Sequence, residues 1–301
     1  MGMREMAIRV VADSSSNATK IEGIDYRCVP LTVTLDGTDY RDDEDLDLAR
    51  FCDQMSFCMG PSSTTCPSPD AWLAAFDGAD EIVAIALSAH LSGSCNSARL
   101  AALQYQEAHP KAKIAVVDSR SAGETLALIA AHVGTLEQEG LPFEELVRQL
   151  QAYQYHTHVL FDIADLSNLA RGGRVNPAVA RFANALDVHV VGTGNPEGEI
   201  EVLRKCRGLR KATQTMIHEM EMHRYAGGRC FISHVQNPGA AEAFRDALLK
   251  KWPEADIAIE PCHALCSYYA NRNGLIVSYE DGRKIDCDRD LAALGAPSPI
   301  I

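Results

Sequence analysis

The stretch AIRVVADSSS, residues 7–16, decides the fold class of this chain. Its first six residues are mostly apolar or β-branched, which is typical of a strand buried on both faces of a sheet. The residues that follow, Asp13 to Ser16, predict a polar loop. This order places several polar side chains, Ser15 among them, at the carboxyl end of a buried strand.

Outward from this strand, the first half of the chain alternates between strands and helices. Strands are predicted at 28–35, 81–87, 112–118 and 158–164, and helices at 46–55, 97–109, 122–139 and 142–155. The alternation predicts a mostly parallel sheet flanked by helices. Asp36-Gly37, directly after the strand at 28–35, predicts a tight hairpin turn.

The pattern changes past Leu166. Strands at 188–192 and 200–205 flank Asn195-Pro196-Glu197-Gly198, which predicts a hairpin. Helices are predicted at 177–186, 209–223 and 240–251, and strands at 229–234, near 257 and at 275–279. The second half is therefore expected to form a mixed or antiparallel sheet with helices. Because 301 residues exceed the usual size of one core, we predict two α/β domains, 1–160 and 161–301.

Charge and cysteine content limit the partners and the location. The formal charge of −13 repels nucleic-acid phosphates and anionic membrane surfaces, so neither is expected as a partner. No apolar run reaches the roughly 18 residues of a membrane-spanning helix, and no secretory signal is found, which predicts a cytoplasmic protein. We expect the ten cysteines to be reduced thiols. No metal is predicted, because Cys262 and Cys266 lack a second pair of cysteines.

Five hydroxyl residues lie in the segment SSTTCPSPD, residues 62–70. Ser68, which is followed by a proline, predicts the N-cap of a helix. Thr64 and Thr65 are not explained as caps, because Pro67 holds the preceding residues extended. They are candidate ligand contacts, and a solvated loop is the alternative.

A second hydroxyl segment, SAHLSGSCNS at 88–97, lies where a strand ends and a helix begins. Gly93 allows a close approach to the backbone, and Ser92, Ser94 and the free amides of the helix start would donate to an anion. A carboxylate or a phosphate is the predicted ligand group. A hydrolase that uses Ser92 with His90 as its base is the alternative, although the Gly-x-Ser-x-Gly elbow is absent. No nucleotide phosphate loop is present, so ATP is not expected.

Two arginines flank a glycine pair in the segment NLARGGRVNP, residues 168–177. Further cations follow at positions 204, 205, 207, 210 and 211. In so acidic a chain, this positive run predicts a docking surface for a phosphate-bearing partner or product. An ordinary solvated helix face is the alternative for the group at 204–211.

Seven short motifs occur in an order that resembles the DegV family over most of the chain. They are VVADSS at 10–15, VPL at 29–31, TTCPS at 64–68, LSGS at 91–94, VDS at 117–119, RGGR at 171–174 and KCR at 205–207. Members of this family bind fatty acids. The resemblance implies two α/β domains with the lipid between them, and a carboxylate held by Thr64 and Ser92.

The resemblance also implies that some relatives present the bound acid to a separate acyl kinase, which phosphorylates the carboxylate. Arg174 and Arg207 match positions suited to contact with the kinase or the acyl phosphate, and Arg204 lies in the same basic run. The carrier supplies no phosphoryl-transfer machinery. The implied protein is therefore a binder without catalytic residues or a cofactor, not an enzyme.

Three departures from the family pattern bear on the pocket. Family members often have Thr-Ser-Gln-Pro-Ser where this chain has TTCPS at 64–68. They also often have Ser-Gly-Thr-Tyr where this chain has SGSC at 92–95, and the smaller residues are expected to widen or reshape the pocket. The family's late His-x-Gly-Pro-Gly is missing, with CSYYAN at 266–271 in its neighbourhood. His263 or Ser267 is the proposed substitute for its histidine.

A long acyl chain suits such a site better than a small anion does. Each buried methylene contributes about 0.8 kcal/mol, so about fifteen contribute on the order of 10 kcal/mol before the costs of binding. We predict a fatty-acid carrier with ligand contacts at Thr64, Thr65, Ser92, Gly93, Ser94, Ser15, His263 and Ser267. The alternatives are an enzyme acting on a small anionic substrate, a binder of another amphiphile, and a protein with a closed pocket that works through protein contacts.

Overall fold

The computed structural model of the chain describes residues 8–180, 187–295 and 299–301. Its strands are β1 Arg9–Asp13, β2 Asp25–Val29, β3 Thr32–Leu35, β4 Thr38–Arg41, β5 Ser62–Thr65, β6 Glu81–Ala86, β7 Lys113–Asp118, β8 Thr157–Ile163, β9 Val188–Gly194, β10 Ile200–Arg207, β11 Arg229–His234, β12 Asp256–Pro261 and β13 Leu275–Glu280. Its helices are α1 Leu48–Phe57, α2 Pro69–Phe76, α3 Ser94–Ala108, α4 Thr125–Gln138, α5 Phe143–Gln154, α6 Ser167–Arg171, α7 Pro177–Ala180, α8 Leu209–Met222, α9 Pro238–Lys251, α10 Ala264–Ala270 and α11 Cys287–Leu294. No helix among these residues is long and apolar enough to cross a membrane.

Four strands form a parallel sheet in the order β2-β1-β6-β7, as the alternation predicted. Val10 and Val11 are neighbours on β1, and both are fully buried. Val10 packs in the core with α4 and α5, whereas Val11 packs in the core with α2 and α3. Helices thus cover both faces of the sheet, which explains why β1 is apolar without alternation.

A second sheet has six strands in the order β10-β9-β8-β13-β11-β12. Only β11 and β12 pair in parallel, and the other pairs are antiparallel. The predicted mixed sheet of the second half is therefore confirmed, together with the β9–β10 hairpin. We call residues 8–156 the N-terminal part and the described residues from 157 onward the C-terminal part.

One predicted strand lies in a different sheet from the one expected. The strand at 158–164 was predicted within the parallel alternation, but β8 runs antiparallel between β9 and β13. Side-chain periodicity identifies a strand without identifying its partners, so the sequence could not assign it. The division after residue 160 stays a prediction, and it falls inside β8. Of the helix predicted at 177–186, only Pro177–Ala180 lies within the described residues.

A small antiparallel sheet, β4-β3-β5, stands beside the other two. Asp36-Gly37 forms the predicted two-residue turn, with φ of 49° and 79° as such hairpin turns require. The single strand predicted at 28–35 is wrong, because it is divided between β2 and β3. Pro30 has no N–H to continue the parallel ladder, and the chain leaves one sheet and enters another there.

Buried polar groups join the N-terminal part to the C-terminal part. The Asn17 side chain donates to Glu124 Oε1 at 2.6 Å and to the Pro261 carbonyl at 3.1 Å, and its oxygen accepts the His263 N–H at 2.6 Å. The Asp42 carboxylate accepts two backbone N–H groups at the start of α10, at 2.8 and 3.1 Å. These bonds satisfy groups that the helix start leaves unpaired, and they fix α10 against the N-terminal part.

Glu124 is a buried acid at this contact between the N-terminal and C-terminal parts. Its Oε1 accepts from Asn17 and from the Ser233 hydroxyl, and its Oε2 has no partner among the described residues. Burial raises the pKa of Glu124 to about 7. The native protein therefore keeps this proton to a higher pH than the unfolded chain, whose glutamates titrate near 4.3. It follows that the free energy of unfolding falls as the pH rises through this window.

We predict that Glu124→Gln removes most of this pH dependence, because glutamine stays neutral at every pH. The free energy of unfolding of the variant, relative to the parent protein, should increase by on the order of 3 kcal/mol between about pH 4 and pH 8. Urea unfolding at both pH values measures the change, with the exposed Glu107→Gln as control. If the free energy of unfolding of the variant differed from that of the parent protein by the same amount at both pH values, the assignment to Glu124 would be wrong.

Candidate ligand-binding site

The buried carboxylate of Asp13 holds together the loops at the carboxyl end of the parallel sheet. Its Oδ2 accepts the Leu87 N–H at 2.9 Å and the Ser94 hydroxyl at 2.5 Å. Its Oδ1 accepts both the N–H and the hydroxyl of Ser15. Burial raises the pKa of Asp13, and these hydrogen bonds oppose that shift. One carboxylate thus fixes the segments after β1 and β6 and the start of α3.

Residues Ser62–Thr65 of the first hydroxyl segment form strand β5, so the alternative of a solvated loop is wrong for them. Along β5, Ser62 and Thr64 face one side, while Ser63 and Thr65 are exposed on the other. The Thr64 hydroxyl lies 2.7 Å from the Tyr269 hydroxyl, and the Ser62 hydroxyl lies 2.9 Å from that of Tyr268. Two hydrogen bonds therefore attach β5 to α10.

The two hydroxyl segments meet at Gly93. A Cβ atom added to Gly93 would lie 3.2 Å from the sulfur of Cys66, a contact tighter than most side chains allow. Glycine therefore lets the loop before α3 approach the residues after β5. Beside it, the Ser92 hydroxyl accepts the Ser94 N–H at 3.2 Å and keeps its own proton available.

A hollow of about 90 Å³ lies between the N-terminal and C-terminal parts. Its polar lining residues are Ser15, Thr64, Ser92, Arg174 and Tyr269. Its other lining residues are Leu31, Leu87, Leu91, Ala122, Leu169, Ile200, Leu265, Cys266 and Ile276. The volume is several times what one water molecule needs. The predicted residues Thr64 and Ser92 thus share one cavity, and its walls are chiefly hydrocarbon.

A second chamber, also of about 90 Å³, continues from the first. The two share the side chains of Leu91, Ala122, Leu169, Ile200, Tyr269 and Ile276. Beyond these, the second chamber runs over β8, where Val159, Phe161 and Ile163 form its floor. Together the two adjoining chambers form an elongated apolar space, with hydrogen-bonding groups in the first chamber.

Arg174 brings a positive charge to the first chamber. Its Nε donates to the Leu91 carbonyl at 3.0 Å, and its guanidinium carbon lies 5.9 Å from the centre of the Tyr269 ring. The Arg204 and Arg207 side chains are exposed on β10, whose first residue, Ile200, lines the chambers. At about 3.3 Å per residue, they lie roughly 13 and 23 Å along the strand from that point.

Five predicted ligand residues do not line either chamber: Thr65, Gly93, Ser94, His263 and Ser267. Thr65 faces away from the cavity, because neighbours on a strand point to opposite faces. The Ser94 hydroxyl is buried against Asp13, and the Ser267 hydroxyl donates to the Cys262 carbonyl at 2.8 Å. His263 directly precedes α10, and its ring nitrogen lies 4.0 Å from Asp42. The side chains of Ser94, Ser267 and His263 face other protein groups, and a direct contact of these residues with a ligand stays a prediction.

Tyr269 lines both chambers, whereas His263 and Ser267 line neither, and Tyr269 was not predicted from the sequence. Its hydroxyl is beside Thr64, and its ring lines both chambers. The signal was present in the Tyr-Tyr pair of the segment CSYYAN, 266–271, since tyrosine combines an apolar body with a polar tip. Only the packing of α10 on β5 distinguishes it from the adjacent Tyr268, which bonds Ser62 outside the cavity.

The described side chains form neither a metal site nor a hydrogen-bonded serine–histidine pair. No group of three or more metal-binding side chains is found in that part of the chain. Burial raises the pKa of the Cys262 and Cys266 thiols, which disfavours the thiolate that a metal needs. The His90 ring is exposed with Nδ1 3.7 Å from Glu199, and no hydrogen bond joins it to Ser92 in the described structure.

With this geometry in hand, comparisons with known proteins identify relatives. A family model described as "Uncharacterised protein, DegV family" matches residues 7–280. A DegV domain-containing protein of Streptococcus pyogenes serotype M1 is 34% identical over 279 residues, covering 91% of this chain and 100% of that protein.

Two solved structures are similar over their whole length. A DegV family protein from Eubacterium eligens, loaded with heptadecanoic acid, has a TM-score of 0.89 and 37% identity, covering 91% of this chain and 100% of that one. The Streptococcus pneumoniae Fatty Acid Kinase (Fak) B3 protein, loaded with linoleic acid, has a TM-score of 0.88 and 35% identity, covering 93% and 100%.

Proposed function

This chain belongs to the DegV family, and from that membership we propose that it is a carrier of one long-chain fatty acid. The observation that carries the proposal is the meeting of Thr64, Ser92 and Arg174 in an apolar cavity that extends into a second chamber. Two related proteins of similar structure are loaded with heptadecanoic and linoleic acids, which supports the same class of ligand here.

The acid enters with its carboxylate toward β5 and the loop before α3. The hydroxyls of Thr64 and Ser92 donate to it, and the guanidinium of Arg174 balances its charge. The Gly93 N–H, for which no acceptor exists in the described chain, adds a further donor. Hydrogen bonds to an ionised group are about twice as strong as neutral ones, so a few suffice to set the orientation.

Ser15 and Ser94 act through Asp13 rather than as principal contacts. By accepting both hydroxyls, Asp13 keeps the two loops in register, so the donors of Thr64 and Ser92 are held in place before the ligand arrives. A preorganised donor set loses little conformational entropy on binding. The tail then occupies the hydrocarbon-lined chambers, where burial of its methylenes supplies most of the favourable free energy.

We also propose that the loaded protein presents its acid to a fatty acid kinase, as the name of the pneumococcal neighbour suggests. The exposed Arg204 and Arg207 supply the positive surface that a phosphate-handling partner would contact. The cytoplasm, where such a kinase would find ATP, also suits ten cysteines that are all free thiols. In this role the protein performs no catalysis itself.

The first test is recovery of the ligand. A carrier that buries its acid between two parts of the chain should retain it through purification. Mass spectrometry of an organic extract of the purified protein should therefore find close to one fatty acid per chain. Recovery of a different amphiphile, or of none after incubation with fatty acids, would overturn the proposal.

Removing the two hydroxyls should weaken binding. We predict that Thr64→Val combined with Ser92→Ala lowers the affinity for a fatty acid by about 2–4 kcal/mol, roughly 30- to 900-fold, since two hydrogen bonds to a charged group are lost. Titration calorimetry on delipidated protein measures the change. Thr65→Val is the matched control, because the same substitution one residue later faces outward. Equal affinities for the double variant and the parent protein would remove both hydroxyls from the site.

We expect the contact with the kinase to be independent of fatty-acid binding. We predict that Arg204→Gln with Arg207→Gln leaves the fatty-acid affinity within about twofold, because both side chains are exposed far along β10. The same variant should raise the KM of the organism's fatty acid kinase for the loaded protein by about tenfold or more, measured as ADP release. An unchanged KM would show that the docking surface lies elsewhere.

A further inference from the structure

A groove of about 420 Å³, lined by both polar and apolar residues, adjoins the second chamber. The groove and the chamber share five lining residues, which are Arg120, Ser121, Val159, Thr193 and Gly194. The chamber therefore does not end in a blind hydrocarbon wall. It ends at a boundary where an arginine and a serine follow β7 and the space beyond is lined in part by polar groups.

The Arg120 side chain forms no ion pair with the described residues at this boundary. One terminal nitrogen of its guanidinium donates to the carbonyls of Pro196 and Leu294, at 3.2 and 2.6 Å. These two neutral acceptors anchor the side chain between the β9–β10 turn and the end of α11. The nearby Asp118 carboxylate accepts the Arg120 backbone N–H at 3.1 Å. No carboxylate in the described chain forms an ion pair with the guanidinium, although Glu201 and Glu219 line the same groove and Glu199 lines the chamber. Its remaining N–H groups are therefore available to an anion.

Ser121 adds a second unsatisfied group at the same place. Its hydroxyl is buried, and none of the described protein groups accepts from it or donates to it. Most buried hydroxyls in native proteins have a partner, so this one calls for an explanation. A ligand oxygen at the boundary would provide that partner.

We propose that this boundary binds the distal end of the ligand, so that the protein accepts long-chain acids carrying a second carboxylate on the terminal carbon. The proposal rests on the fatty-acid function above and specifies its ligand class. The first carboxylate occupies the Thr64 and Ser92 site, the methylenes fill both chambers, and the second carboxylate meets Arg120 and Ser121. A blind apolar end would reject such an acid, because burying an unpaired carboxylate is strongly unfavourable.

The test compares acids with one and two carboxylates on the delipidated protein. Saturated monoacids and α,ω-diacids of about 12 to 20 carbons are titrated, because the length that spans both sites is to be found by experiment. We expect at least one diacid to bind within about tenfold of the best monoacid. If every diacid binds more weakly than that, the boundary does not bind a carboxylate and the proposal is overturned. Failure of the monoacids themselves would instead overturn the fatty-acid function.

Substitutions of Arg120 test whether this residue binds the second carboxylate. Arg120→Leu should weaken the best diacid by about thirtyfold or more and change the best monoacid by less than about threefold. Arg120→Lys keeps the charge and should retain most of the diacid affinity, which covers the case in which the leucine variant is unstable. Arg210→Leu, an exposed site on α8, is the matched control. If Arg120→Leu weakened the binding of both acids equally, Arg120 would have only a structural role and the proposal would be wrong.

Discussion

The buried carboxylate of Asp13 is the constraint on which the ligand site depends. A charged group with no access to water is costly unless every lone pair is used, and Asp13 uses its oxygens to bind the segments after β1 and β6 and the start of α3. The loops at the carboxyl end of the sheet are thereby fixed relative to one another. Thr64 and Ser92 can act together only because one of those loops already has a defined position.

The cavity also depends on contacts between distant parts of the chain. The small sheet is attached to α10 by two tyrosine hydroxyls, and α10 is in turn capped by Asp42. Each bond joins residues separated by more than 200 positions in sequence. A ligand in the chambers contacts both sides of this junction, so its binding and the association of the two parts stabilise each other.

Charge makes the arrangement selective. A protein with a formal charge of −13 repels anions in general, so an acid must be met by local donors. Neutral hydroxyls supply most of them, and the positive charges are placed singly: Arg174 in the first chamber and Arg120 where the second chamber meets the groove. An amphiphile satisfies both requirements, because its apolar length needs no donors and its ends need few.

The sequence by itself determined most of the helices and strands and the class of ligand to expect. Apolar runs ending in polar loops predicted the parallel strands, Asp36-Gly37 predicted its hairpin, and the hydroxyl segments predicted Thr64 and Ser92, because each of these signals is local. Only the tertiary structure decided which sheet receives β8, that Thr65 faces outward, and that Tyr269 rather than His263 lines the chambers. These outcomes depend on which surfaces pack together, and packing between residues hundreds of positions apart leaves no periodicity in the chain.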